Sequence, residues 1–188
     1  VDGLEWERGK WGRFAQSIFK LGARMSLRFA DTLIFDGHAL GEYWRREFDA
    51  DGIVISYGAA PPTEVNDDAL DRFSLQSGRY VLVVARLVPE NNLEMLLDAW
   101  GRRFADYRLV LVGSTRHGSK LMERVERFAE REDVLWIRHI DDQELLGSLW
   151  AHSGVYFHGH SAGGTNPGLL QAMAHGCTVV AWGTPFNR

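Results

Sequence analysis

Cysteine is almost absent. Cys177 is the only one in 188 residues, which excludes a disulfide framework and a multi-cysteine zinc site and suits a reducing, cytosolic compartment. Charge of one sign is not in large excess either. Lys and Arg number 21 against 25 Asp and Glu, a net charge of −4, so no nucleic-acid partner is expected. No apolar run approaches the roughly 18 residues of a membrane span, and no signal peptide is visible. With 45% hydrophobic and 24% charged residues, the composition is that of a globular chain and excludes disorder, collagen and coiled coil. The length suits one domain, or one domain plus part of another. The chain opens on Val1 rather than Met, and a fragment of a longer protein is expected.

What is present falls into two segments. Residues 1–30 carry Arg8, Lys10, Arg13, Lys20, Arg24 and Arg28 against Asp2, Glu5 and Glu7. Trp11, Phe14, Ile18, Leu21 and Met25 share one helical face, and the basic residues cluster on another. This basic amphipathic helix, within residues 8–30, is expected either to pack with a solvated basic edge or to meet an anionic membrane surface or phosphorylated acceptor. Two short β-like runs follow, Leu33–Phe35 and Ile53–Ser56, and residues 57–66, with Tyr57-Gly58 and Pro61-Pro62, read as a linker.

Beyond the linker, short Val-, Leu- and Ile-rich runs recur at Tyr80–Ala85, Leu109–Val112, Val134–Ile137, Val155–Phe157 and Thr178–Ala181. They do not alternate, as expected of strands buried on both faces. Helical stripes separate them: Leu93, Leu96, Leu97 and Trp100, then Leu121, Val125, Phe128 and Ala129. Asp141 with Glu144 resembles a capping box ahead of Leu145, Leu146 and Leu149. Trp100 and Trp150 read as helix-to-sheet packing, and Cys177 as a small core residue. The pattern predicts an α/β fold, a Rossmann-like parallel sheet with helices on both faces, whose ligands bind at the carboxyl ends of the strands.

The loops after the strands carry the chemistry. His158-Gly159-His160-Ser161-Ala162-Gly163-Gly164-Thr165-Asn166-Pro167 ends in a helix cap and a first-turn proline, and Gly176 fits the helix's end. Backbone N–H groups behind two glycines at a helix start suit an anion. The same stretch contains a formal G-x-S-x-G around Ser161. A hydrolase elbow needs the helix directly after the serine and an acid downstream, and no acidic residue follows Ser161. Gly113 to Lys120 resembles a P-loop, but Ser119 and Lys120 stand in the wrong order, and no GxGxxG is present. Arg86, after the first strand of the sheet, is placed for a phosphate or a neighbouring acid. His158 and His160 lack a third ligand at zinc spacing, so no metal is expected.

Three blocks in order, Val84-Ala85-Arg86-Leu87-Val88-Pro89-Glu90-Asn91-Asn92, His158 to Pro167, and Leu169-Leu170-Gln171-Ala172-Met173-Ala174-His175-Gly176 with Thr178–Ala181, resemble the donor-binding half of group 1 (family 4) glycosyltransferases of the GT-B fold. The opening Asp2 to Trp11 is similar to their rhamnosyltransferase-like branch. The resemblance implies a fragment. Residues 1–58 would be the end of an acceptor-binding domain, and residues 59–188 a nucleotide-sugar-binding domain that the family continues past Arg188. The implied donor contacts are Arg86, Asn91 (where the family often has lysine), Ser161, Gly163, Gly164, Thr165, Asn166 and Gln171, with His139 and Ile140 near the base. Gly163 and Gln171 stand where the family tends to carry two glutamates. Gln171 lacks the carboxylate that grips ribose hydroxyls, which would cost a dTDP donor least. Also implied are retention of configuration, transfer without metal or cofactor, catalytic groups on the missing domain, and a dTDP- or UDP-linked donor such as one of rhamnose. The acceptor would be a glycan or polyprenyl-diphosphate-linked molecule of a surface polysaccharide, reached from the cytoplasm at the inner membrane face. An α/β-hydrolase built on Ser161 and a non-catalytic nucleotide-binding module remain as alternatives.

Overall fold

A computed structural model describes residues 3–7, 11–62, 64–100, 104, 106–115, 120–162 and 164–188. Gly163, Asp2, Arg8 and Lys10, and residues 116–119 of the P-loop-like stretch lie outside the described residues. The chain divides into two compact units. The first comprises Val1–Gly58, Ser161–Pro167 and Gly183–Arg188; the second comprises Ala59–His160 and Gly168–Trp182.

The second unit contains a five-stranded sheet: β3 (Tyr80–Val84), β4 (Arg108–Val112), β5 (Val134–Ile137), β6 (Val155–His158) and β7 (Val179–Ala181). All neighbours are parallel, in the order β5-β4-β3-β6-β7. Side chains alternate between two cores, as the period of a strand requires. Tyr80, Leu82, Val110, Val112 and Tyr156 point to one, shared with Leu145, Leu149 and Trp150 of α6 (Gln143–Ala151) and Ala69 of α3 (Asp68–Phe73). Val81, Val83, Leu109, Leu111 and Phe157 point to the other, shared with Leu93 and Leu97 of α4 (Leu93–Ala99) and Leu121 and Val125 of α5 (Lys120–Phe128). The order explains the two layers. Strands β3, β4 and β5 step one way, then β6 steps back past β3. A parallel crossover is right-handed, so the helices of the reversed direction cover the opposite face. The fold is α/β and Rossmann-like, with helices on both faces.

Two expectations shift. Asp142, not Asp141, caps α6: its Oδ1 accepts the N–H groups of Glu144 and Leu145 at 3.0 and 3.1 Å. Asp141 instead meets His139 Nε2 at 2.8 Å. The terminal run is not buried on both faces either. β7 is an edge strand, with Val180 exposed. Both tryptophans do pack between helix and sheet, and the Trp100 Nε1–H donates to Asp133 at 2.9 Å.

The first unit contains α1 (Arg13–Phe29), β1 (Ile34–Phe35), α2 (His38–Phe48) and β2 (Ile53–Val54). The two strands pair in parallel, Ile34 with Ile53 and Phe35 with Val54. Its core gathers Leu4, Trp6, Phe35, Leu40 and Trp44. Helix α1 docks through Ala23, with Phe19 and Leu27 alongside. The stripe expected to pack is therefore turned outward: Phe14 is 81% exposed, and Ile18, Leu21, Met25 and Phe29 are also exposed. The reason is steric: small Ala23 lets the helix approach the Trp44 and Phe35 cluster closely. Among the described residues no helix is long and apolar enough to cross a membrane.

Candidate functional site

The second unit has a topological switch between β3 and β6. The chain leaves β3 toward the layer of α4 and β6 toward α7 (Pro167–Ala174). Where neighbouring strands diverge in this way, a crevice opens at their carboxyl ends. Two loops meet there, Arg86–Asn92 and Gly159-His160, and polar bonds fix them. Asn91 is 9% exposed. Its Nδ2 donates to the Arg86 carbonyl at 2.7 Å, and its Oδ1 meets His160 Nδ1 at 2.9 Å. A carbonyl only accepts, so the amide orientation is set, and His160 must carry a proton on Nδ1. Asn92, in the left-handed region at φ 48°, donates through Nδ2 to the Gly159 carbonyl at 2.7 Å. A Cβ on Gly159 would lie 2.1 Å from the Asn91 carbonyl oxygen, so only glycine permits this approach.

Arg86 stands exposed at this end of β3, and among the described residues no carboxylate pairs with it. Asn91 spends its amide inside the protein, holding the Arg86 backbone and the His160 ring. Beneath them His158 is buried and its ring stacks on Tyr156 at 6.0 Å. Burial drives the Tyr156 hydroxyl far above its ordinary pKa, so it stays protonated and reaches the Val84 carbonyl at 3.4 Å.

After β5, Ile140 packs against the core while His139 is exposed beside Asp141. Arg138 lies over the Trp136 ring at 4.1 Å and donates to Glu126 at 3.2 Å. Gln171 sits on α7, half-buried, and its carbonyl accepts the Nδ1–H of His175 at 2.7 Å. Among the described residues no group of three or more His, Cys, Asp or Glu could hold a metal ion.

In the first unit, the loop Ser161–Pro167 meets the end of β1. Asp36 is 8% exposed there. Its Oδ2 accepts the Thr165 N–H at 3.2 Å, and its backbone carbonyl accepts the Thr165 hydroxyl at 3.2 Å. Added Cβ atoms would lie 2.4 Å from Asp36 Oδ2 at Gly164 and 2.8 Å from Thr165 Oγ1 at Gly37. Helix α7 begins at Pro167, six residues past Ser161, so Ser161 lacks the strand-turn-helix geometry of a nucleophile elbow. Asp36, Asn92, Gly159 and His160 were not assigned these contacts from sequence. Asn91-Asn92 at a helix start and the small Gly159 were weak signals for the crevice. Asp36 had none, because 129 positions separate it from Thr165.

A family model described as glycosyl transferases group 1 matches residues 78–186, and a domain of unknown function (DUF1972) matches residues 1–60. No curated protein sequence matches the chain. Among solved structures, sucrose-phosphate synthase from Thermosynechococcus elongatus is similar at TM-score 0.74 and 22% identity, covering 95% of this chain and 47% of that one. The pneumococcal O-GlcNAc transferase GtfA, in complex with UDP and GlcNAc, is similar at TM-score 0.66 and 14% identity, over 99% of this chain and 37% of that one. Anabaena HepE in complex with UDP is similar at TM-score 0.70 and 16% identity, over 95% and 51%. The chain thus spans about a third to a half of the length of these neighbours. With its Rossmann-like sheet of the GT-B kind and a family match over more than half its length, the chain belongs to the group 1 glycosyl transferases.

Proposed function

We propose that this chain binds the donor of a glycosyl transfer, a nucleoside-diphosphate sugar linked to UDP or dTDP, and that it is the donor-side part of a larger enzyme. One observation carries the reading: an exposed arginine, with no carboxylate partner among the described residues, at the switch point of a sheet in a group 1 glycosyl transferase. The UDP held by the pneumococcal transferase and by HepE supports the same ligand class. In this reading the diphosphate is both handle and leaving group. In the second unit the Arg86 guanidinium can hold two of its oxygens at once; in the first unit the Gly164 to Asn166 backbone is the stretch that the family resemblance gives to phosphate. Asn91 holds the loop that carries Arg86, Gln171 and the His139-Ile140 loop face the nucleoside, and no metal is required.

The finer proposals are a hexosyl transfer with retention, rhamnose as a candidate sugar, and a glycan or polyprenyl-diphosphate acceptor in polysaccharide synthesis at the cytoplasmic membrane face. Residues 1–58 are assigned to the acceptor-side domain and residues 59–188 to the donor domain. The outward apolar stripe and the four basic residues of α1 support contact with a membrane-bound acceptor. Calorimetric titration with UDP and dTDP, with and without magnesium, tests the donor reading. Saturable binding that weakens about tenfold or more in Arg86→Ala is expected, the loss of a charge-assisted contact. Binding indifferent to Arg86→Ala contradicts it, and covalent capture of Ser161 by a fluorophosphonate would favour the hydrolase instead.

A further inference from the structure

Asp36 poses a question that the donor reading leaves open. A carboxylate 8% exposed is costly to bury and is retained only where hydrogen bonds offset the loss of water. Part of the offset comes from the Thr165 N–H of the glycine loop. Oδ2 takes the Thr165 N–H at 3.2 Å, and the Asp36 carbonyl takes the Thr165 hydroxyl at 3.2 Å. The fit is reciprocal. Gly164 admits the carboxylate where any Cβ would lie 2.4 Å from it, and Gly37 admits Thr165 where any Cβ would lie 2.8 Å from its hydroxyl. Two glycines and a buried acid, 129 positions from Thr165 in sequence, thus form one clasp.

The Thr165 N–H belongs to the backbone that the donor reading gives to phosphate. One N–H group cannot serve two anions at full strength, and a diphosphate brought to this loop would meet a like charge a few ångströms away with little water between them. We infer that Asp36 is a built-in competitor of the diphosphate: its carboxylate occupies the glycine loop, and anion binding there requires it to let go of the Thr165 N–H. The inference rests on the donor reading. Asp36 thereby sets donor affinity and couples the loop to β1. A bound donor frees Gly164 and Thr165 from the clasp, and a departed donor lets the clasp close again.

The test compares the wild-type chain with Asp36→Asn and Asp36→Ala, titrated with UDP and with inorganic pyrophosphate, each variant first checked for its fold by circular dichroism. Removing the charge should tighten both ligands about tenfold, the difference between a charge-assisted and a neutral hydrogen bond for the one N–H. Affinity equal to or weaker than that of wild type in folded variants overturns the inference, while wild-type binding that depends on Arg86 leaves the donor reading standing. Failure of the wild type and both variants to bind either ligand sinks the reading and the inference together. Should the variants not fold, the wild type decides. The carboxyl-carbon resonance of Asp36 must move when UDP saturates the protein, and a resonance that stays put overturns the inference.

Discussion

Replacing Gly159 by alanine should destabilise the fold markedly. The new Cβ would sit 2.1 Å from the Asn91 carbonyl oxygen and 2.8 Å from Phe157 Cε1. Backbone cannot yield as a flexible side chain does, so the loops must part by about 1 Å, at the 1–3 kcal/mol typical of overpacking. Parting them strains two bonds, Asn92 Nδ2 to the Gly159 carbonyl at 2.7 Å and His160 Nδ1 to Asn91 Oδ1 at 2.9 Å. Each contributes about 1 kcal/mol net. The sum is about 3–5 kcal/mol, or about 6–20 °C in Tm for a chain of this size. Gly22→Ala is the control: nothing lies within 4 Å of its added Cβ, and in mid-helix it should stabilise by about 0.5–1 kcal/mol. Thermal unfolding followed by circular dichroism reads both. Gly159→Ala melting within a degree of wild type would refute the close approach of the two loops.

Three further outcomes are expected. Asp142→Ala should lose about 1 kcal/mol in urea unfolding and Asp141→Ala almost nothing, because Asp142 alone caps α6. The Arg131 side chain, with help from Trp100, holds the Asp133 carboxyl below the usual carboxylate range. A depressed folded value stabilises above the unfolded one and is lost as pH falls through the folded one, so Asp133→Asn should be less stable than wild type at about pH 7, and unfolding curves should converge below about pH 4. Burial raises the Cys177 thiol, so its reaction with a disulfide reagent at about pH 8 should be slow in the folded chain and fast in urea.

The sheet was largely legible because its strands are buried on both faces. Tyr80 to Val84 has no polar residue to blur the run, and the structure places it at the centre. Strand order was not legible, since nothing in Val155–His158 says that it pairs with β3 rather than β5. The cap of α6 slipped by one residue because Asp141 and Asp142 are adjacent acids, and only geometry chooses between them. Helix α1 forms where its periodicity places it, but docks by a different face. Periodicity finds the bulkier stripe, Phe14 to Met25, whereas docking uses the face with the small residue, Ala23. At the candidate site, Arg86 and the glycine loop stand out by residue type. The roles of Asn91 and Asp36 do not, because each depends on a partner distant in sequence: His160 is 69 positions from Asn91 and Thr165 is 129 from Asp36.

The central claim is that this chain takes a nucleoside diphosphate at the carboxyl ends of β3 and β6. Mapping amide chemical shifts during a UDP titration tests it most directly. Saturable shifts are expected at Arg86 to Asn92 and at Gly159-His160, with the N-terminal ends of the strands, such as Tyr80 and Val155, unmoved. Shifts confined to that opposite edge, or none in a folded sample at millimolar UDP, would contradict it.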